Sequence, residues 1–103
     1  MTQNQVPLPN RLKHARQVSG ISQKSLGIAI GIDQFVASAR MNQYEKGVHF
    51  PSYQTVKAIA DHLKYPVSYF YEKDEGIASL LEAIKDMGKI QLKNLVKNLS
   101  KNR

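Results

Sequence analysis

Apolar positions recur along the chain at helical spacing, and nowhere do they alternate as in a half-buried strand. Leu8, Leu12, Ala15 and Ser19 share one face, with Pro9 suited to a first helical turn and Gly20 to a C-terminal stop. Ser22 is placed to cap a second short helix through Ile30, with Leu26, Ala29 and Ile30 on its buried side and Gly31 ending it. A third helix ends near Lys46, before Gly47. Ser52 can cap a fourth, whose Val56, Ile59, Ala60 and Leu63 follow the i, i+3, i+4, i+7 rule. Tyr65-Pro66 interrupts it, because the residue before proline is driven out of the helical region. Pro66 to Tyr71 then predicts one more short helix, turning Val67, Tyr69 and Phe70 inward.

The style changes after Asp74. Asp74 and Glu75 read as the N-cap and first-turn charge of another helix. Ile77, Leu80, Leu81 and Ile84 form one amphipathic stripe and Leu92, Leu95, Val96 and Leu99 a second, with Gly88 marking a tight turn between them. The pattern predicts an all-α protein: about five short helices over residues 7–71, then a two-helix extension over 72–103 that is a candidate dimerisation element. The ends, Met1 to Val6 and Lys101 to Arg103, are expected to be disordered.

A chain of 103 residues that is 42% hydrophobic supports one compact domain with a thin core. The absence of cysteine removes disulfide scaffolds, thiolate zinc sites and cysteine nucleophiles together. No apolar run approaches the roughly 20 residues of a membrane helix, and Met1 to Asn10 lack the features of a signal peptide. A soluble cytoplasmic protein is the expectation. His14, His49 and His62 lack metal-ligand spacing, and the chain carries no nucleophile–base pair and no glycine-rich phosphate loop. Enzyme, metal, cofactor and small-molecule readings therefore find no support. Charge points elsewhere: the net charge is +7, residues 1–71 hold eight bases and three acids, and no acid precedes Asp33. Such a surface attracts phosphate and releases counterions on binding.

The ordered set Arg11-Leu12-Lys13, Gly20-Ile21-Ser22-Gln23-Lys24-Ser25-Leu26-Gly27, Gly31-Ile32, Asn42-Gln43-Tyr44-Glu45-Lys46-Gly47 and Pro51 resembles the Cro/lambda-repressor-like, or Xre-like, helix-turn-helix family of bacteria and phages. The likeness runs from residue 11 to 71, through Thr55, Ile59-Ala60, Leu63, Val67 and Tyr69-Phe70. The residues make independent physical sense of such a motif. Leu26, Gly27, Ile30, Ile32, Met41 and Tyr44 can fill the junction of two short helices. Ser22 and Gln23 place neutral donors at a helix N-terminus that already favours phosphate. Ser38, Arg40, Asn42 and Gln43 are polar side chains of a length suited to base edges.

The resemblance implies sequence-specific binding to double-stranded DNA by a transcriptional regulator, most simply a repressor, and it distributes roles. Gln23, Ser38, Ala39, Arg40 and Gln43 align with base-facing positions. Ser22, Lys24, Asn42, Lys46, His49, Ser52 and Tyr53 align with phosphate contacts. Arg16 and Glu45 align with a partly buried structural ion pair. The rival function is a protein-interaction or antitoxin-like module that retains the fold. Family members usually carry alanine where this chain has Gly27. Glu45 also lies about four residues further from Gly31 than the family pattern allows, about one helical turn. Asp33-Gln34-Phe35-Val36-Ala37 contains neither glycine nor proline, which favours a recognition helix that begins early with Asp33 as its N-cap; the alternative is a longer loop. Modules of this kind pair on two half-sites, and the apolar stripes over residues 77–99 point to a homodimer. The alternative is an extension folded back on its own domain.

Overall fold

The computed structural model describes residues 6–101, and within them the chain is all-helical, with no strand. Helix α1 spans Leu8–Val18, α2 Gln23–Ala29, α3 Ala37–Glu45 and α4 Tyr53–Leu63. A 3-10 helix, Val67–Tyr71, follows, then α5 at Glu75–Ala83 and α6 at Lys89–Lys101. Local chemistry sets most of these bounds. The hydroxyls of Ser22 and Ser52 accept from the amides of Ser25 (3.0 Å) and Thr55 (3.2 Å), and the Asp74 carboxylate accepts from Ile77 (2.9 Å). Helix α4 stops at Leu63 because Lys64 takes the left-handed conformation (φ 62°), one residue before the break expected at Tyr65-Pro66. Of the ends expected to be disordered, residues 1–5 and 102–103 lie outside the described residues. Val6 is exposed, and Lys101 closes α6.

The first four helices and the 3-10 helix share one core. Phe70, Leu12, Leu26, Met41, Ile59 and Val56 are fully buried. Each such side chain contributes about 1.5–3 kcal/mol through burial. The 3-10 helix closes the core with aromatic side chains: Tyr69 meets Phe70 edge-on at 5.3 Å between centroids and lies 4.8 Å from Tyr65. One expected core position is corrected. Ala29 is exposed, because α2 presses on its neighbours through Leu26 and Gly27, which turns Ala29 outward.

Helix α5 lies back on this core. Ala78 is buried, Leu81 packs against the cluster, and the Tyr65 hydroxyl donates to the Glu82 carboxylate. Arg11, on α1, is buried and reaches across to the segment entering α5. Its Nε and one terminal nitrogen donate to the Glu72 carbonyl at 3.1 and 2.7 Å. Helix α6 differs: no residue in it is buried, and Ile90, Val96 and Leu99 stand more than half exposed. The radius of gyration, 15.2 Å, exceeds the roughly 13 Å of a compact chain of this length, as an outstanding helix requires.

Candidate nucleic-acid interface

The site is built on the contact of α2 with α3. Gly27 lies against Ala37, and a Cβ at Gly27 would sit 2.8 Å from the Ala37 Cβ and 3.1 Å from its backbone. Glycine is therefore required by the close approach of α2 to Ala37, the first residue of α3. Ile30 and Ile32 pack on the core beside Leu26, Met41 and Tyr44, so the junction forms as its residue types implied.

The extra residues go into the connection, which corrects the expected early start of α3. Asp33 does not cap the helix. Its Oδ1 accepts from the Phe35 amide at 2.9 Å and its carbonyl from the Val36 amide at 3.0 Å, closing a turn over residues 33–36. Val36, with φ −121° and ψ −1°, stands at the N-cap with no side-chain bond. A side chain that captures its own backbone two residues on competes with helix, and here the turn prevails.

At the far end of α3, four side chains form one network. Arg16 of α1 grips Glu45 through Nε (2.5 Å) and a terminal nitrogen (3.1 Å), and its other terminal nitrogen donates to the Ile21 carbonyl at 3.0 Å. The Glu45 side chain is 3% exposed and that of Arg16 13%. The Gln23 amide donates to Glu45 Oε1 at 3.1 Å and to Asn42 Oδ1 at 3.2 Å. The start of α2 is thereby tied to the end of α3, and two of the candidate contact residues, Gln23 and Asn42, are brought together. Ser38, Ala39 and Arg40 are exposed on α3, Gln43 is half-buried, and Lys46 follows at the C-cap. Ser22, Lys24, His49, Ser52 and Tyr53 are all exposed. Among the described residues, Lys24, Arg40 and Lys46 are in no ion pair, whereas Arg11, Arg16 and Lys57 are engaged with Glu75, Glu45 and Asp61. The uncommitted positive charge of the first half of the chain thus includes α2, α3 and the residue that ends α3.

No protein-family model and no curated protein matches the sequence. Among solved structures, the transcriptional regulator BswR superposes with a TM-score of 0.86 at 38% identity, over 91% of this chain and 93% of that one. The chain belongs to the BswR family. The likeness extends over nearly the whole of both chains.

Two positions in this BswR-family chain carry features that the sequence pattern does not announce. Phe35 is 85% exposed at the tip of the 33–36 turn, and its only signal was an aromatic residue inside an unexplained insertion. Glu82, on α5, accepts from Tyr65 and meets His14 Nε2 at 3.0 Å. Burial pushes the Glu82 carboxyl upward, but the hydrogen bonds from Tyr65 and His14 outweigh it and hold it below its usual value. Burial and the bond to Glu82 push the Tyr65 phenol up. This polar cluster borders a shallow cleft of about 300 Å³ between α1 and α5, lined by Asn10, His14, Glu75, Ser79 and Glu82. Among the described residues no helix is long and apolar enough to cross a membrane, and no group of three or more His, Asp or Glu is placed to hold a metal.

Proposed function

We propose that this chain is a cytoplasmic, non-enzymatic transcriptional regulator of the Cro/lambda-repressor-like, Xre-like kind that lays α3 in the major groove of double-stranded DNA and represses by occupying its site. The observation that carries this reading is the outer face of α3. Arg40 is exposed and unpaired, Gln43 follows one turn on, and the helix that bears them is held at both ends, by Gly27 against Ala37 and by Arg16 and Gln23 on Glu45. Polar groups left uncommitted on a rigid support suit base recognition, since arginine pairs bidentately with guanine and glutamine with adenine. Ser38, Ala39 and Gln23 complete the base-facing set. Ser22, Lys24, Asn42, Lys46, His49, Ser52 and Tyr53 serve the phosphates. Residues 7–71 form the DNA-binding unit.

Arg40→Ala is expected to weaken binding to the preferred duplex by about 1–3 kcal/mol and to relax preference at one base position. Lys46→Ala weakens all sequences alike and lowers the salt slope by about one. Fluorescence anisotropy on a duplex selected from random sequence reads both effects. Unchanged affinity in both variants sinks this docking mode.

Residues 72–103 make the protein a homodimer in the same reading. Ile77, Leu80, Val96 and Leu99 are each about half exposed, and apolar stripes left in water on two successive helices suit a partner surface. Two copies then read half-sites about one turn of DNA apart. Sedimentation at low micromolar concentration should give a dimer for the native chain and a monomer for Leu99→Asp. A native monomer excludes this assembly.

A further inference from the structure

Phe35 stands out as the most exposed large apolar side chain among the described residues, 85% accessible beside the 43% of Val36. Nothing in the fold uses it, yet its backbone is held firmly. The Asp33 carboxylate accepts from its amide, the Asp33 carbonyl accepts from Val36, and two residues on Ala37 is locked against Gly27. An aromatic side chain carried on a fixed backbone and left in water is built for presentation, because a ring with no role beyond the turn is replaceable by any polar residue the turn accepts.

Its position says what it faces. Ala39, Arg40 and Gln43 are separated by one, three and four residues on α3 and so share its outer side, and Phe35 and Val36 stand directly before that helix in the 33–36 turn. These side chains pass from apolar (Phe35, Val36, Ala39) to hydrogen-bonding (Arg40, Gln43). In the major groove the apolar feature of a base edge is the 5-methyl group of thymine, which phenylalanine and alanine contact. We infer that Phe35 and Val36, in the turn that leads into α3, form with Ala39 an apolar tip that reads thymine methyl groups next to the bases read by Arg40 and Gln43. The inference rests on the DNA-binding reading above. It adds to that reading a specificity-determining residue supplied by the insertion.

The test replaces thymine by deoxyuridine, which removes the methyl group and leaves base pairing intact. A duplex selected by the full chain is substituted one thymine at a time, and affinity is measured by anisotropy. The native chain should lose about four-fold per contacted methyl at one or two positions in each half-site. Phe35→Ala should bind the thymine duplex more weakly and no longer distinguish thymine from deoxyuridine there. Phe35→Leu, which keeps an apolar side chain, should retain part of the discrimination. Arg40→Ala should lose affinity yet keep the methyl preference, which separates the two readings. If every thymine can be replaced without loss, or if Phe35→Ala keeps the preference, the inference fails while the docking mode stands. A change of oligomeric state in Phe35→Ala, without a change at any methyl, would make Phe35 a protein contact and also overturn it. If selection enriches no sequence, both readings fall together.

Discussion

Replacing Glu45 by alanine should lower the unfolding free energy by about 3–5 kcal/mol, a large part of what a domain of this size has. The carboxylate is 3% exposed and takes hydrogen bonds from Arg16 and Gln23. Its removal strands a guanidinium that is 13% exposed, with only the Ile21 carbonyl left to it. An uncompensated buried charge accounts for most of the loss; the ion pair itself need not be strongly favourable against an apolar replacement. The double variant Arg16→Met, Glu45→Met should therefore be much closer to the native chain than Glu45→Ala alone. Urea unfolding followed by circular dichroism on the native chain, both single variants and the double variant completes the cycle. A loss of less than about 1 kcal/mol in Glu45→Ala, or a double variant as weak as the worse single one, would show that no buried charge had been stranded. The same substitution leaves Gln23 only its bond to Asn42 on α3, so the N-terminus of α2 should hold its place less firmly and DNA affinity should fall further than stability alone accounts for.

Features that depend on a few neighbouring residues were legible in the chain. Ser22, Ser52 and Asp74 cap the helices they precede, since a side-chain oxygen and an amide three residues on need no tertiary help. The stripe from Val56 to Leu63 is buried as its period requires. Where two local preferences compete, the outcome lay elsewhere in the fold. Residues 33–36 are compatible with helix, but Asp33 offers its own turn, and the turn is what forms. Ala29 illustrates a different difficulty: a two-turn helix is too short for its pattern to fix which way it faces. In the site, the pairing of Arg16 with Glu45 was available only through resemblance. The part Gln23 takes in it is a tertiary contact, and a glutamine donating to a carboxylate 22 positions away leaves no periodic trace. Charge counting overstated the surface for the same reason, as Arg11 and Arg16 are engaged inside the fold.

Arg11 is the second residue whose loss should be severe. Its guanidinium forks onto the Glu72 carbonyl at 3.1 and 2.7 Å, lies 5.6 Å from the centre of the Tyr69 ring, and meets Glu75 at 3.0 Å. The Glu75 pair adds little, since that side chain is 86% exposed. The charged bonds to a backbone carbonyl and the contact with the ring matter more, and Arg11→Ala should cost about 2–4 kcal/mol. Arg11→Met keeps the buried stem and removes the fork, so it isolates the hydrogen bonds from the packing. Arg11→Lys keeps the charge but cannot span the carbonyl with two donors, and it should recover only part of the loss. Because Arg11 joins α1 to the strand of chain entering α5, the damage should be local as well as global. Amide exchange in α5, from Ile77 to Ala83, should accelerate in Arg11→Met more than in α2 or α3. Glu75→Gln should leave both readouts nearly unchanged. Equal stability of Arg11→Met and the native chain would mean that α5 is held by Ala78, Leu81 and Glu82 alone. The expected result makes Arg11 the tie that fixes where the C-terminal extension leaves the core.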